Sequence, residues 1–524
     1  MRNGDHVVQI NVRARSGEVL EHRFRIEVRK SEEDEDGLSI RRRMTQVEAD
    51  LVHEVLGNLR HCPGFRLTLR QQAPLEGERL LATIGSLRNQ VYRDWTLQIL
   101  TADATTGAGV RALIADAAAD LVERIDVFDP QDEEAFAQPI GGTPQSRALR
   151  LVGFLSPGDQ LGCDALLETA LSSGLHRDAD FFYADEVRIS PASREREPFF
   201  KPNFSPDLLL STKYIGRPWF ASTGLLGKTG VTPRCLLESG EYDVVFRCTE
   251  QAQQIHHLPK LLCLRGTQQI DDTDAEAAAL ARAALRRGIA ADVLVGAVPG
   301  TWRFRRRQPA KGMVSIIIPT CAARGYVETC VKTLRERTAY RNFEIICVDN
   351  IPDRQMAWKL WLKQNFDKIV PMPDAFNWSY FNNRGAAVAA GEHLLFLNDD
   401  IEIMQPDWLD AMLEHVQRPE VAVVGPQLLY PDGKVQHAGM FLAAPGVARH
   451  AFRFAASDEP GSFGLALTQR NVIAVTGACM LMRRTMFQAL GGFDEAHEII
   501  NNDLDFVCVR TRQASLSSSH RMPH

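Results

Sequence analysis

The chain has 524 residues, more than one hydrophobic core normally organises, so two or three domains are expected. Hydrophobic residues make up 45% and charged residues 24%, the balance of a soluble globular protein, and a formal net charge of −6 argues against a nucleic-acid partner held by general basicity. The ten cysteines are scattered without a C-x-x-C pair, which argues against structural zinc and against a disulfide framework.

The N-terminal MRNGDHVVQINVRAR lacks the apolar core of a signal peptide, and the apolar stretch Val472–Met482 is too short to cross a bilayer. The sequence therefore points to the cytoplasm, with peripheral contact as the nearest approach to a membrane. Residues 1–60 stand apart. VVQINVRA and EHRFRIEV alternate apolar and polar residues about a Ser-Gly turn, predicting a hairpin. SEEDEDG is a charged connector, and TQVEADLVHEVLGNL has helical periodicity. No chemistry is visible in this segment.

An internal echo organises the rest. Ser86–Asp103 (SLRNQVYRDWTLQILTAD) and Thr333–Asn350 (TLRERTAYRNFEIICVDN) each give a helix end, a Tyr-Arg-Asp/Asn-aromatic turn and a strand. LVGFLSPGDQL, residues 151–161, resembles LLFLNDDIEI, residues 394–403: an apolar strand, an acidic loop and then a helical pattern. Two similar units follow, over residues 61–290 and 313–510, joined by a linker at 291–312 where Gly, Pro and Arg cluster. The basic run Arg303–Arg307 reads as solvated linker. Residues 511–524 form a polar, Ser-rich tail without periodicity, which reads as disordered.

In the second unit MVSIIIP is a continuous apolar run, hence a buried strand, and Val327, Cys330, Val331 and Leu334 recur at helical spacing. FEIICVDN is a second strand ending at Asp349. Trp358, Leu360 and Trp361 mark a helix, KIVPM a strand and NNRGAAVAAG a short Ala-rich helix. HLLFL is a strand that ends at Asn398-Asp399-Asp400. Pro406 and Asp407 open the helix WLDAML, and VAVVGPQLLY is the next strand. Strands alternating with helices predict a largely parallel α/β sheet, with ligands beyond the carboxyl ends of its strands. Thr320, Asp349 and Asp400 sit at such ends. Cys347 and Cys479 lie in apolar runs and read as small core residues.

Two acidic sites carry candidate chemistry. Asp399-Asp400, closing a buried strand, offers oxygen ligands suited to Mg²⁺ or Mn²⁺, an ion that would offset the charge of a leaving diphosphate. Asn502-Asp503-Leu504-Asp505 offers a carboxylate able to take a proton from an attacking hydroxyl. Taken alone, each is more often a solvated turn or a helix cap.

MVSIIIPT, the acidic strand end at Asp349, LNDD, DGKVQHAG, AVTGACMLMRR, GGFDE and NNDLDF occur in that order. Together they resemble the family-2 glycosyltransferases, particularly the tandem-domain, rhamnosyltransferase-like members associated with O-antigen and other surface polysaccharides. The resemblance implies two Rossmann-like GT-A domains in tandem and a divalent metal, Mn²⁺ or Mg²⁺. It implies inverting transfer from a nucleotide-diphosphate sugar donor to a glycan or lipid-linked acceptor. On this reading Asp400 contacts the metal, and Thr320, Asp349, Asn383, Asp399 and Gly477 line the nucleotide-sugar site. Asp503 is the catalytic base and Asp505 its companion.

The first unit resembles the same family through FFYADEV, FFKPNFSPDLLLSTKYIG and EYDVVFRCTEQAQQIHHLPKLL, with decayed motifs. Its acidic loop keeps only Asp159, its nucleotide-strand region offers only Asp103, and Glu241 stands where a base would, with Asp243 beside it. It is expected to be non-catalytic, as an acceptor-binding or packing domain. His256-His257 reads as core or surface histidine rather than metal ligand. Similar proteins continue past the NDxD segment with a helix, a strand and a histidine-bearing motif. TRQASLSSSHRMPH does not match these, so a truncation after about Arg510 is expected to impair activity.

Two other classes remain open. One is a catalytically inactive nucleotide-sugar- or glycan-binding relic, separated from the enzyme by donor hydrolysis with Mn²⁺. The other is a nicotinamide enzyme: Gly107-Ala108-Gly109-Val110-Arg111-Ala112 fits G-x-G-x-x-A, with Asp129 further on. TLQIL, however, ends several residues before the first glycine, whereas the fingerprint needs a tight strand-to-helix turn.

Overall fold

The computed structural model of the protein describes residues 4–13, 19–28, 62–132, 150–189, 195–266, 273–307, 309, 311–444, 447–498 and 504–506, with parts of 39–52. The chain divides into two compact units, one from Met1–Phe204 with Lys213–Ala283, the other from Ser205–Thr212 with Ala284–His524. Strands Gly4–Arg13 and Val19–Val28 pair antiparallel, as their alternation predicts. Most of the helix expected over TQVEADLVHEVLGNL lies outside the described residues, as does the tail 511–524.

In the first unit β1 (Gly64–Gln71), β2 (Trp95–Thr101), β3 (Ile125–Phe128) and β4 (Arg150–Leu155) run parallel. β5 (Phe181–Ile189), β6 (Trp219–Ser222) and β7 (Ile255–Leu264) continue the sheet in the order β3-β2-β1-β4-β6-β5-β7. β6 is antiparallel to both neighbours, so the sheet is mixed rather than largely parallel. Between β1 and β2 runs helix α1 (Gly77–Arg88), and after β2 comes α2 (Ala104–Ala117). Asp103 caps α2, its side chain accepting from the Thr106 amide at 2.7 Å. Gly107 and Gly109 therefore lie inside a helix. The strand-to-helix turn is made without glycine, so the dinucleotide fingerprint lacks the geometry its glycines serve. Helix α3 (Pro233–Gln251) is broken at Gly240, whose φ of 74° no other residue adopts easily, immediately before Glu241.

The second unit has β8 (Val314–Thr320), β9 (Phe343–Asp349), β10 (Lys368–Pro371) and β11 (His393–Leu397), all parallel. β12 (Val423–Val424) and β13 (Cys479–Arg483) complete the order β10-β9-β8-β11-β13-β12, with β13 antiparallel to β11. The helices are α4 (Tyr326–Arg337), α5 (Met356–Asn365), α6 (Trp378–Ala387), α7 (Trp408–Val416) and α8 (Arg484–Ala489).

Why β8 reads as an unbroken apolar run is visible in its packing. Ile316 and Ile318 enter one core with Val327, Val331 and Leu334 of α4 and Leu409 and Leu413 of α7. Ile317 faces the other way, into a core with Phe381, Phe396 and Met480. A strand buried on both faces has no use for polar alternation. Gly385 brings α6 onto this sheet, since a Cβ there would collide with Ile317 and Val348.

Three local expectations are corrected. VAVVGPQLLY is not one strand but two short ones, β12 and Leu428–Leu429, because the chain passes Val475 at Gly425, where a Cβ would come within 2.7 Å of that side chain. The Ala-rich helix starts earlier, at Trp378, capped by the Asn377 side chain on the Tyr380 amide. The segment expected as a linker contains the hairpin Ala291–Val295 with Trp302–Arg306. Its basic run is paired rather than merely solvated. Arg303 Nη2 lies 2.8 Å from Glu414 Oε2, the Arg306 amide donates to Glu414 Oε1, and Arg307 pairs with Asp292.

Candidate functional site

The site of the second unit is built on one edge of its sheet. Parallel strands present their carboxyl ends together, and Thr320 of β8 stands in register with Asp349 of β9. The Thr320 hydroxyl donates to Asp399 Oδ2 at 2.6 Å, on the loop after β11, and accepts from the Ala322 amide at 2.9 Å. Because β13 is antiparallel, its beginning reaches the same edge. The Asn398 amide donates to the Ala478 carbonyl at 3.0 Å, which sets Gly477 beside the acidic loop. Thr320, Asp349, Asp399, Asp400 and Gly477 are thus neighbours.

Their electrostatics differ. Asp349 is buried, accepts from the Ile351 amide at 3.0 Å and is paired with Lys359 Nζ at 2.7 Å. Burial is the largest influence on Asp399 and pushes its pKa up, the Thr320 hydrogen bond opposes this, and the charge of Asp400 adds to it. Asp400 itself is exposed. Two adjacent carboxylates, one half-buried and raised partly by the other, present the charge that a divalent cation relieves. An all-oxygen pair of this kind suits Mg²⁺ or Mn²⁺.

Gly477 has a tight reason to be glycine. A Cβ would come within 2.8 Å of the Trp378 ring, which stacks edge-on to Phe493 at 4.8 Å. Trp378 opens α6, and its amide donates to the Glu498 carbonyl at 2.7 Å. Asn383, on the same helix, engages the GGFDE loop with both ends of its amide. Oδ1 accepts from the Phe493 amide at 2.9 Å, and Nδ2 donates to the Phe493 carbonyl and to Glu495. Its observed contacts hold the loop. Asp503 lies outside the described residues. Asp505 is described, and with Asp494 and His497 it offers ligand atoms that all lie within 4.8 Å of one another.

Sequence reasoning missed Lys359, His497 and Asp494. Lys359 sits one helix away from the carboxylate it pairs with, and no spacing rule connects them. His497 could have been noticed as the imidazole between GGFDE and NDLD. His437, of DGKVQHAG, is buried and accepts on Nε2 from the Gly439 and Thr476 amides. Its Nδ1 lies 2.9 Å from His450 Nδ1. Burial lowers its pKa to about 3. In the first unit His257 pairs with Asp185 at 2.8 Å and His256 stacks on His176, so neither forms a metal pair with the other. Among the described residues no helix is long and apolar enough to cross a membrane.

Residues 315–491 match the family described as Glycosyl transferase family 2. The chain is 32% identical over 438 residues to the O-antigen biosynthesis protein RfbC of Myxococcus xanthus, covering 80% of this chain and 34% of that protein. It is 31% identical over 464 residues to the uncharacterized protein y4gI of Sinorhizobium fredii, covering 84% of this chain and 50% of that protein. The chain thus spans between a third and a half of the length of these curated relatives. Among solved structures, it is similar to S. aureus TarS 1–349, at 12% identity and a TM-score of 0.30 over 42% of this chain and 65% of that one. It is also similar to the mannosyltransferase PcManGT from Pyrobaculum calidifontis in complex with GDP-Man and Mn²⁺, at 16% identity and a TM-score of 0.27 over 36% and 52%. Residues 315–491 are thus similar to family-2 glycosyltransferases, and most of the chain is similar to part of an O-antigen biosynthesis protein.

Proposed function

We propose that the second unit is an inverting glycosyltransferase that moves a sugar from a nucleotide-diphosphate donor to a glycan or lipid-linked acceptor in surface polysaccharide synthesis. The first unit is then its tandem GT-A-like partner. The observation that carries the reading is the convergence of Thr320, Asp349 and the Asp399-Asp400 loop on one sheet edge, with Thr320 bonded to Asp399 at 2.6 Å.

Each residue has a role in this reading. Asp349, held by Lys359, fixes the nucleoside end of the donor. Asp399, braced by Thr320, orients the loop so that Asp400 faces the diphosphate. A divalent cation on Asp400 would neutralise the charge that develops on the leaving diphosphate. Asp503 takes the proton from the acceptor hydroxyl, which is too weak an acid to attack unaided at neutral pH. Asp505, anchored by Phe506 against Phe493 at 4.9 Å, positions that segment. A lipid-linked acceptor would bring the protein to a membrane surface.

The test is transfer or hydrolysis of nucleotide-diphosphate sugars with Mn²⁺. Turnover that is lost in Asp400→Asn, with circular dichroism unchanged, supports the reading. Binding without turnover in the wild type favours a binding relic instead.

A further inference from the structure

The two sheets correspond strand for strand at their centres, and hydrogen-bond register makes the correspondence residue-specific. Thr68 of β1 pairs with Phe154, three residues before β1 ends, and Ile317 of β8 pairs with Phe396, three residues before β8 ends. Phe154 and Phe396 are therefore equivalent. One residue earlier, Gly153 pairs with Phe220 and Leu395 pairs with Leu481. Counting back along β6 and β13 from that pair puts Arg217 where the second unit has Ala478, and Gly216 where it has Gly477.

What Arg217 does there is specific. It is buried, and its Nε donates to Asp159 Oδ2 at 2.9 Å. Nη2 donates to Ser156 Oγ at 2.8 Å, and Nη1 pairs with Glu241. Asp159 is the surviving carboxylate of the loop after β4, and it is saturated: the Ser156 amide donates to Oδ2 at 2.7 Å and the Gly266 amide to Oδ1 at 3.0 Å. Glu241 follows the Gly240 break of α3 and also accepts from Trp219 Nε1 at 2.5 Å. Glu241-Tyr242-Asp243 repeats the pattern of Asp503-Leu504-Asp505, and each triplet follows its own sheet's antiparallel central strand, β6 or β13. One guanidinium therefore spans the gap between the strand-loop carboxylate and the helix carboxylate.

In a sugar-transfer site those two positions lie on opposite sides of the reacting carbon, and the gap between them holds the donor sugar. We infer that Arg217 closes the first unit as a donor site: its guanidinium occupies the gap that a sugar diphosphate would need, so the chain binds one nucleotide-sugar, in the second unit. A buried guanidinium with partners on three sides does not leave readily, because withdrawing it strands the buried Asp159 and unpairs the partly exposed Glu241. The geometry assigns a resident cation to the place of a ligand.

The test uses the full chain and rests on the proposed function only in its nucleotide arm. Calorimetric titration with UDP, dTDP and GDP in the presence of Mn²⁺ should saturate at one nucleotide per chain for whichever base binds. The triple variant Asp159→Asn/Arg217→Met/Glu241→Gln, which leaves all three positions uncharged, should keep that stoichiometry and affinity, and Asp400→Asn should weaken binding. Two nucleotides per chain, or a site lost in the triple variant and retained in Asp400→Asn, would overturn the inference. Thermal unfolding reads the closure even where no nucleotide binds, an outcome that counts against the proposed function and not against Arg217. Arg217→Met alone should lower the melting temperature well below that of the triple variant, or fail to fold while the triple variant folds. An Arg217→Met protein as stable as the wild type would show that the guanidinium holds neither carboxylate, and the closure would be wrong.

Discussion

The two sheets share an order but differ in what stands at their carboxyl ends. In the second unit Thr320, Asp349 and Asp399-Asp400 leave carboxylate charge partly uncompensated, with Asp399 raised by burial and by Asp400. In the first, Gln71 and Thr101 close the corresponding strands, in register with each other as Thr320 and Asp349 are. Three of its buried or partly buried acids are paired with cations. Asp159 and Glu241 share Arg217, while Glu186, fully buried, is held by Lys201, Arg188 and Arg265. Burial lowers the Lys201 pKa to about 8, with Glu186 opposing that shift. The difference teaches that sheets of the same central strand order can carry at the same edge either a partly uncompensated charge set or a self-satisfied one.

The strongest way to break the comparison is to neutralise the candidate bases in turn. Asp503→Asn should lower turnover by about 10²–10⁴-fold with donor affinity little changed, because a general base acts in the transition state. Glu241→Gln should leave turnover as it is. Loss of transfer in Glu241→Gln, measured at saturating donor, would make the first unit a working site. A smaller effect is expected in the loops. Asp400→Asn should weaken Mn²⁺-dependent binding of a nucleoside diphosphate by at least ~10-fold, about 1.4 kcal/mol, whereas Asp159→Asn should not alter it. Equal Mn²⁺-linked affinity in wild type and Asp400→Asn, by calorimetry, would remove the metal from Asp400.

How much of this was legible before the structure follows from where the information sits. Strands such as VSIIIPT and EIICVD declare themselves because both faces are buried, and their terminal Thr320 and Asp349 are then placed by the strand alone. The Asp399 loop was legible for the same reason. Lys359 was not, because its pairing with Asp349 depends on how α5 packs back. Glu414 was not legible as the partner of Arg303 and Arg306, since the partners are distant in the chain and RFRRR has the composition of a solvated linker. Arg217 lies outside every motif, and only the register of β6 against β4 reveals what it replaces.

Packing around the equivalent glycines gives a third test, of stability. Gly477→Ala places a Cβ 2.8 Å from Trp378, and overpacking of this kind costs about 1–3 kcal/mol. Gly216→Ala should cost more, because Gly216 has φ 49° and its Cβ would also collide with the Glu186 carboxylate. Denaturant unfolding checks the ranking. Adding Trp378→Leu should recover part of the loss in Gly477→Ala and none in Gly216→Ala.

The smallest effect concerns Asp399 and separates ligand-seeking charge from structural charge most directly. Its folded-state pKa lies above the ordinary aspartate value, chiefly through burial, so the ionised form is disfavoured by folding. A raised carboxyl contributes stability at pH below its unfolded pKa, near 3.9, and that contribution is lost as pH rises through the folded value. At neutral pH the ionised Asp399 is therefore a cost. Asp399→Asn should raise the melting temperature of the second unit at pH 7, because Asn can still accept from Thr320 while carrying no charge. The gain should shrink as pH falls and vanish below about pH 4, where the wild-type carboxyl is protonated. Millimolar Mn²⁺ should narrow the difference again at pH 7, since a bound cation offsets the same charge in the wild type and not in the variant. A melting temperature lowered by Asp399→Asn at neutral pH, without metal, would mean that the charge is compensated within the fold, as Asp159 is, and the contrast between the two sheet edges would lose its physical basis.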